Sequence, residues 1–319
     1  MIYEPTPDNL ESFAENLRRG GCVAFPTETV YGLGANALDG EAVARIFDAK
    51  GRPSFNPLIV HVTCLAEAQQ YGVFSNTALT LAQAFWPGPL TLVVPRTSDC
   101  PVSELVSAGL PTIALRVPAH DIAHQLMRTA GCPLAAPSAN KSGHLSPTRP
   151  EHVNQSLPDI PVLNGQQLTV GLESTIIGCL DDTPTLLRLG GLAREEIEAV
   201  VATPLNEIAE TGDSTAKLAP GRLLRHYAPQ ARLRLNADTT EAGEALLAFG
   251  PPIPSHDGPM INLSPVQDVT EAAANLFSAL HELDRKAEKI AVMPVPSHGL
   301  GAAINDRLER AARGHEGRS

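Results

Sequence analysis

Two short segments of this chain of 319 residues carry cations and small polar side chains at a spacing that could bind an anion. Lys50 and Arg52 flank a glycine, and Asn56 follows after one proline. Further along the chain, Ser138 and Asn140 stand two residues apart, and two more serines follow within six residues. Guanidinium and ammonium groups that converge with hydroxyl and amide donors can hold a triphosphate.

Each of these features also has an ordinary structural interpretation. A cation at a turn is usually solvated, and Lys50 with the glycine after it is typical of a helix C-terminus. That interpretation leaves Arg52 and Asn56 without a role. Five cations beside loop residues favour an anion site over five solvated side chains; they are Lys50, Arg52, Lys141, Arg149 and Arg188. The sequence GxxxxGK followed by Ser or Thr is absent, which excludes a P-loop.

The segment from Pro26 to Gly34 is a third candidate. It predicts either a tight turn, in which Thr27 and Thr29 bind backbone groups, or a ligand loop at the C-terminal end of a strand. The third glycine of a dinucleotide-binding fingerprint is missing. His61 lies within an apolar run of strand length, where a histidine is more often a hydrogen-bonded core residue than a ligand.

Alternating helical and strand patterns must position these residues, and they predict an α/β chain with one large sheet. Helices are predicted at residues 8–19, 121–130 and 194–201, and a short helix ends near Gly51. Apolar runs predict strands; these are residues 22–25, 58–62, 90–94, 112–117, 134–136, 174–179 and 185–189.

A second unit follows a stretch without periodicity. Residues 1–203 are predicted to form the first domain, residues 204–229 a linker and residues 230–319 a small Rossmann-like α/β domain. Within the last range, strands are predicted at 232–235, 245–249, 260–263 and 290–295, a long helix after Asp268 and a last helix over 301–313.

Composition excludes several classes of protein. The net charge is −11, and residues 1–203 hold 12 Lys and Arg against 20 Asp and Glu, so a general hold on nucleic acid is disfavoured. The five cysteines include no CxxC pair, which indicates a reduced chain without a zinc site. The absence of a signal sequence and of a long apolar run predicts a cytoplasmic protein without a membrane span.

The motifs together closely resemble the YrdC family. The resemblance rests on six motifs in this order: Pro26-Thr-Glu-Thr-Val-Tyr-Gly-Leu-Gly34, Lys50-x-Arg52, Asn56-Pro-Leu-Ile-Val-His61, Trp86-Pro-Gly-Pro-Leu-Thr91, Ser138-x-Asn140 and Glu173-Ser-Thr175. The second domain makes the chain similar to the two-domain threonylcarbamoyl-AMP synthases. The resemblance implies a YrdC-like domain with a large twisted mixed sheet and flanking helices.

The resemblance implies a nucleotidyl transfer in which L-threonine, bicarbonate (or CO2) and ATP give threonylcarbamoyl-AMP and pyrophosphate. The product would serve threonylcarbamoyladenosine formation next to the tRNA anticodon, through a separate transferase. It also implies Mg²⁺ bound with ATP, although the sequence shows no metal-ligand cluster. Weak or no direct binding of tRNA is expected, and catalysis would depend on positioning and charge stabilisation.

The family's site residues carry over to positions of this sequence. The expected ATP contacts are Lys50, Arg52, Asn56, Thr112, Ser138, Asn140, Ser146, Arg188, Arg225 and His226. The expected catalytic group is Lys50, Arg52, Ser138 and Asn140. The expected threonine contacts are Thr29, Tyr31, His61, Arg116 and Ser174. Arg116 would pair with the threonine carboxylate, since a charge within an apolar strand needs a partner. No acid–base role is assigned to Glu28 or Glu173.

Alternatives stay open at this stage. The linker, with Arg225 and His226, resembles the family's segment that folds over the nucleotide and excludes water, or it is an extended tether between prolines. The whole chain could instead be an RNA-binding module, which its acidic first domain disfavours. A carbamoyl-adenylate-forming transferase of the hydrogenase maturation type would carry additional domains and zinc fingers.

Overall fold

The computed structural model describes residues 1–166, 168–181, 183–207 and 227–314. Eleven strands in these ranges form one sheet. They are β1 (Ile2–Tyr3), β2 (Val23–Phe25), β3 (Gly32–Asn36), β4 (Ile59–His61), β5 (Leu90–Pro95), β6 (Thr112–Arg116), β7 (Leu134–Ala135), β8 (Val162–Leu163), β9 (Thr175–Gly178), β10 (Thr185–Arg188) and β11 (Asn206–Glu207). Their order across the sheet is β1-β8-β2-β3-β7-β4-β6-β5-β9-β10-β11.

The large sheet is mixed, as predicted. Strand β4 runs parallel to β6 but antiparallel to β7, and β5 runs parallel to β9 but antiparallel to β6. The central strands therefore end at both edges of the sheet, and loops from distant parts of the chain meet over its middle.

Eight helices accompany this sheet in the described ranges. They are α1 (Pro7–Arg18), α2 (Gly40–Lys50), α3 (Leu65–Ala68), α4 (Asn76–Phe85), α5 (Glu104–Ser107), α6 (Asp121–Ala130), α7 (Pro150–Ser156) and α8 (Arg194–Val201). The predicted bounds of α6 and α8 are confirmed. Helix α2 begins after Asp39, whose carboxylate accepts from two backbone N–H groups, and ends at Gly51, which has a φ of +59°. This left-handed turn directs the chain from Lys50 to Arg52.

The segment from Pro26 to Gly34 is not a loop throughout. Its second part starts β3, which pairs antiparallel with β2. The Phe25 ring packs directly against this strand and leaves no space for a side chain at Gly34. A Cβ added there would lie 2.7 Å from Phe25 Cε1. Close packing of an aromatic ring on a strand explains the two glycines better than a tight turn does.

The second sheet has four parallel strands, which confirms the predicted α/β character of the second unit. They are β12 (Arg232–Arg234), β13 (Glu244–Ala248), β14 (Met260–Asn262) and β15 (Lys289–Val292), in the order β12-β15-β13-β14. Helices α9 (Val269–Leu283) and α10 (Leu300–Arg313) contact each other and pack on this sheet. Strand β11, from the range predicted as linker, pairs instead with β10 of the large sheet.

The core of the second unit continues into the first. Val30, Leu145 and Leu172 of the first unit belong to the same apolar cluster as Leu276 and Phe277 of α9. At Gly171, which has a φ of +72°, a Cβ would lie 2.5 Å from Ala274 Cα. The two units therefore pack backbone against backbone at this point. None of the helices in the described ranges is long and apolar enough to cross a bilayer.

Candidate functional site

The loops over the middle of the large sheet enclose one cavity, called here the central cavity. Its wall combines three arginines, several hydroxyl groups and an apolar floor. It is lined by Thr27, Thr29, Val30, Gly32, Arg52, Leu58, Ile59, His61, Arg116, Ala136, Pro137, Ser138, Glu173, Ser174, Arg188 and Tyr227. Seven of the residues expected from the sequence are among them, and each comes from a different loop or strand.

Two of the cavity arginines are held by main-chain carbonyl groups. Arg52 donates from Nε to Asn56 O at 3.3 Å and from Nη2 to Pro57 O at 3.0 Å. Arg188 donates from Nε and Nη2 to Ser174 O at 3.1 and 2.7 Å. Burial and the charge of Arg188 lower the pKa of Arg52 to about 10, which leaves its guanidinium charged at neutral pH. Both cations are desolvated and preorganised, as an anion site requires.

Lys50 lies behind the wall rather than in it. Its Nζ donates to Ser138 O at 2.6 Å and also to Asn140 O, so the ammonium fixes the loop that carries Ser138. Burial, with the charge of Arg52, lowers the pKa of Lys50 well below its ordinary value. Lys50 is therefore positioned to set the shape and charge of this side of the central cavity through the loop that it holds.

The third arginine, Arg116, is already paired. Its Nη2 lies 2.7 Å from Glu28 Oε1, and both side chains are almost fully buried. Its Nε donates to Gly88 O at 3.2 Å, so the Trp86-Pro-Gly-Pro segment contributes a carbonyl group that orients it. An anion at Arg116 would share this guanidinium with Glu28 rather than meet an isolated charge.

His61 presents a neutral ring to the central cavity. Burial, together with the charge of Arg116, lowers its pKa to about 3. Within the described part of the chain, His61 Nδ1 has no hydrogen-bond partner. A ligand in the cavity could supply the missing partner of this nitrogen.

Hydroxyl groups complete the wall. Ser174 Oγ shares a hydrogen bond of 2.7 Å with Thr91 Oγ1 and accepts from Arg188 Nη2 at 3.2 Å. Thr29 Oγ1 lies 2.8 Å from Thr27 Oγ1. These side chains are fixed by one another, so a ligand would meet hydroxyl groups whose positions are already set.

Besides Lys50, four expected residues lie one contact behind the wall. Asn56 and Asn140 are buried, and their carbonyl groups accept from Arg52 and Lys50. Ser146 donates its hydroxyl proton to Glu173 Oε1. Tyr31 is buried, and its hydroxyl group accepts from Gly165 N at 2.9 Å. Its backbone carbonyl group accepts from Ala139 N and so supports the loop before Asn140.

Thr112 lines a neighbouring cavity instead, together with Val93, Thr185 and Leu187. Val93 and Leu187 belong to one apolar cluster with Ile59, which lines the central cavity. Of the five loop cations, Arg149 is exposed and Lys141 is exposed beside Arg285 in an interdomain cleft, which confirms the ordinary interpretation for these two. Arg225 and His226 lie outside the described residues.

Sequence reasoning missed four residues of the site. Glu28 and Glu173 were noticed without a role, and each proves to be the partner of a buried arginine. Arg307 lies in α10 and reaches Glu173 across 134 residues of sequence, a separation that leaves no local pattern. Tyr227 lines the central cavity beneath the guanidinium of Arg307. The sequence signal for Arg307 was its position within the apolar stripe of the last helix, where a buried charge needs a partner.

The arrangement suits a ligand that carries several negative charges beside a small polar group. Glu173, which lines the cavity, and Glu28, which lies behind Arg116, are each paired with an arginine. Among the described residues, no group of three or more His, Cys, Asp or Glu side chains is placed to hold a metal ion. The chain's own chemistry here is therefore cationic and hydrogen-bonding.

Two family models cover most of the chain. Residues 15–190 match the model of Sua5, YciO and YrdC proteins, which is described as "Telomere recombination". Residues 192–313 match the model described as the C-terminal domain of threonylcarbamoyl-AMP synthase. The second match makes the two-domain arrangement part of the similarity.

Similar proteins match almost from end to end. The threonylcarbamoyl-AMP synthase of Bacillus subtilis (strain 168) is 40% identical over 317 residues, which cover 93% of this chain and 91% of that protein. The threonylcarbamoyl-AMP synthase of Pyrococcus abyssi is 42% identical over 317 residues, with 93% and 92% covered. The crystal structure of P. abyssi Sua5 complexed with L-threonine is similar with a TM-score of 0.89, at 38% identity over 98% of each chain.

Proposed function

The chain belongs to the Sua5 family of threonylcarbamoyl-AMP synthases, and we propose that its central cavity binds ATP beside L-threonine. In the proposed reaction the threonine amine attacks CO2 and loses a proton, which gives a carbamate. A carbamate oxygen then attacks the α-phosphorus of ATP, and the bond to the bridging oxygen breaks. Pyrophosphate leaves with that electron pair, and threonylcarbamoyl-AMP is the other product.

The triphosphate is assigned to the side of the cavity that holds Arg52, Ser138 and Arg188. The observation that carries this assignment is that two desolvated guanidinium groups line one cavity with hydroxyl donors. Such donors stabilise charge that develops on phosphoryl oxygens without reorganising during the reaction. Lys50, Asn56, Asn140 and Ser146 act through the loops and side chains that they hold.

The nucleoside is assigned to the direction of Thr112. The support is the apolar cluster of Ile59, Val93 and Leu187, which connects the central cavity with the cavity that Thr112 lines. An apolar surface suits a base, and a threonine hydroxyl at its far side could donate to a ring nitrogen.

Threonine is assigned to the side with Thr29, His61, Arg116 and Ser174. The structure solved with L-threonine in P. abyssi Sua5 supports threonine as the amino acid. Arg116 pairs with the threonine carboxylate while keeping Glu28, and neutral His61 offers a hydrogen bond to a threonine polar group. Tyr31 takes part through the backbone that it fixes. Arg225 and His226 stay predicted ATP contacts.

Other parts of the proposal concern partners. Mg²⁺ arrives on the phosphates of ATP, since the described carboxylates at the cavity are paired with arginines, and no step here uses a metal held by the protein. The product passes to a separate tRNA-modifying transferase, direct tRNA binding is weak or absent, and the reaction takes place in the cytoplasm.

The proposal also divides the chain into domains. Residues 1–203 are the catalytic domain, 204–229 the linker and 230–319 the second domain, with β11 joined to the first sheet.

The proposed function is tested by measuring pyrophosphate release from ATP, which should occur only when both threonine and bicarbonate are present. Arg52→Met should lower this activity by about 100-fold, because it removes one preorganised donor to the phosphates. Arg96→Met is the matched control: Arg96 also holds a carbonyl and a hydroxyl group, of Val102 and Ser107, but does not line the central cavity, so its activity should stay near that of the unaltered enzyme.

Equal activities of the two variants would contradict the ATP assignment. A gel shift with tRNA separates the enzyme from an RNA-binding module, because weak binding that disappears at moderate salt agrees with the enzyme. Tight binding that resists salt, without pyrophosphate release, would favour the RNA-binding alternative.

A further inference from the structure

Arg307 of the second unit reaches the wall of the central cavity. It lies in α10 and is 1% exposed. Its Nε donates to Glu173 Oε2 at 2.9 Å, and its Nη2 donates to Leu189 O at 2.7 Å. The guanidinium carbon stands 4.8 Å from the centre of the Tyr227 ring. One side chain of α10 thus contacts three separate segments that border the cavity.

Glu173 is the only carboxylate among the residues that line the central cavity in the described part of the chain. Its other oxygen, Oε1, accepts from Ser146. Burial alone would raise the pKa of Glu173, but the charges of Arg307 and Arg188 and the hydrogen bonds from Ser146 and Arg307 outweigh burial and leave the pKa below its ordinary value. Glu173 is therefore ionised at neutral pH, beside the region assigned to the phosphates.

An ionised carboxylate at this place opposes a polyanionic ligand. Without a countercharge it would repel the phosphates and offset part of the positive charge of Arg188, with which it interacts electrostatically. Arg307 supplies the countercharge for Glu173 from behind the wall.

Arg307 also fixes the two backbone segments that hold Arg188. Leu189, whose carbonyl group binds Arg307, directly follows Arg188. Ser174, whose carbonyl group binds Arg188, directly follows Glu173. A shift of Arg307 would therefore displace both the base of the Arg188 side chain and the carbonyl group to which its guanidinium donates.

We propose that Arg307 is a positioning residue for ATP binding, through which the second unit neutralises Glu173 and fixes Arg188. This inference rests on the proposed function, namely that the phosphates of ATP lie beside Arg188. It assigns the second unit a direct part in the binding step, in addition to its connection with the linker.

Opposite effects of two substitutions test the proposal. Titration calorimetry with Mg-ATP, without threonine, gives the dissociation constant. Arg307→Met should weaken ATP binding by about tenfold, since it leaves Glu173 unneutralised. Glu173→Gln should bind ATP at least as tightly as the unaltered enzyme, because it removes a negative charge beside the phosphates while Arg307 keeps its ion pair with Asp306 of the same helix. The double variant Glu173→Gln/Arg307→Met should lie within about threefold of the unaltered enzyme.

A purely structural pair predicts the same direction for both substitutions, since each breaks the same contact. A loss of ATP affinity in both single variants, without recovery in the double variant, would therefore overturn the proposal. If Arg307→Met does not fold, Glu173→Gln alone decides: affinity equal to or above that of the unaltered enzyme agrees with the proposal, and a tenfold loss overturns it.

Two further variants separate this inference from the proposed function. Arg313→Met is the matched control, because Arg313 also lies on α10 and pairs with a carboxylate, that of Glu309, but both of these side chains are exposed; its ATP affinity should not change. Arg188→Met tests the proposed function itself and should weaken ATP binding by more than Arg307→Met. Weaker binding in Arg188→Met with unchanged binding in Arg307→Met refutes only the role of Arg307. Unchanged binding in Arg188→Met refutes the location of the phosphates.

Discussion

The central cavity and the small parallel sheet of the second unit satisfy their buried polar groups in different ways. In the described part of the chain, all buried side-chain N and O atoms without a hydrogen bond belong to the first unit; they are atoms of Glu28, Asn56, His61, Arg116, His120, His124 and Asn140. Glu28 and Arg116 nevertheless form an ion pair with each other. In the second unit, the buried Glu244 accepts from both Nε and Nη2 of Arg234 and from Glu241 N.

The difference shows which region is complete by itself. Buried polar groups are normally hydrogen-bonded, and exceptions mark sites where another molecule supplies the partner. The four-stranded sheet pairs its buried carboxylate internally, whereas the wall of the central cavity keeps a neutral His61 nitrogen that a bound ligand could satisfy. We therefore expect substitutions in the two regions to change different quantities.

The largest expected effect is a loss of stability in the core of the second unit. Leu247 in β13 is 1% exposed in the core under α9 and α10. Leu247→Ala should lower the free energy of unfolding by about 3 kcal/mol, because it leaves a cavity that the core fills only in part. Urea denaturation measures this loss. The threonine KM of the folded variant should stay within twofold of the original, and a large rise in KM would remove the distinction between the regions.

A smaller effect is expected at Arg116, where a ligand contact and an ion pair coincide. Arg116→Met should raise the threonine KM by about 30-fold, since the carboxylate of the bound threonine loses its guanidinium partner. It should also destabilise the protein, because Glu28 stays buried without a countercharge. Steady-state kinetics and urea denaturation measure the two effects separately.

The variant Glu28→Gln/Arg116→Met separates these two roles. Removal of both charges should restore the free energy of unfolding to within about 1 kcal/mol of the original but leave the threonine KM high. Recovery of KM in the double variant would show that Arg116 acts on threonine only by holding Glu28.

The smallest effect lies at the border of the two regions. His152 of α7 and His281 of α9 stack with ring centres 3.8 Å apart. Burial lowers the pKa of His152 to about 2 and that of His281 to about 4. Both rings are neutral when folded, so their stabilising contribution is complete above pH 6.5 and is lost as the pH falls toward the folded pKa values.

His152→Phe keeps an aromatic ring and removes one titrating group. Between pH 6.5 and 5.5 its free energy of unfolding should fall by about 1 kcal/mol less than that of the unaltered protein. Urea denaturation at both pH values measures the difference. Equal losses in the two proteins would mean that His152 is not held neutral in the folded state.

Much of the fold follows from local sequence patterns. The predicted bounds of α6 and α8 agree with the structure because an apolar stripe defines each helix between clear ends. Strand β3 was not predicted, since two glycines stand where branched side chains would indicate a strand. Strands β1 and β8 have two residues each, which is too short for any alternation to show.

The site was predictable where motifs carried it and not where distant residues meet. Arg52, Ser138 and Arg188 do come together, as expected from their positions beside loop residues. The pairing of Arg307 with Glu173 depends on the packing of the second unit against the first, and no spacing in the sequence encodes it. Lys50 is predicted to contact ATP, and the sequence does not show that its Nζ also donates to the carbonyl groups of Ser138 and Asn140.

Gly171 gives a way to recognise the same architecture elsewhere. Two independent reasons restrict this position to glycine. Its backbone is left-handed, and an added Cβ would lie only 2.5 Å from Ala274 Cα. A chain that carries any larger residue here cannot seat its two halves at the same spacing. The identity of a single residue, read from other sequences two positions before the Glu-Ser-Thr motif, therefore reports whether their second halves can dock as they do in this protein.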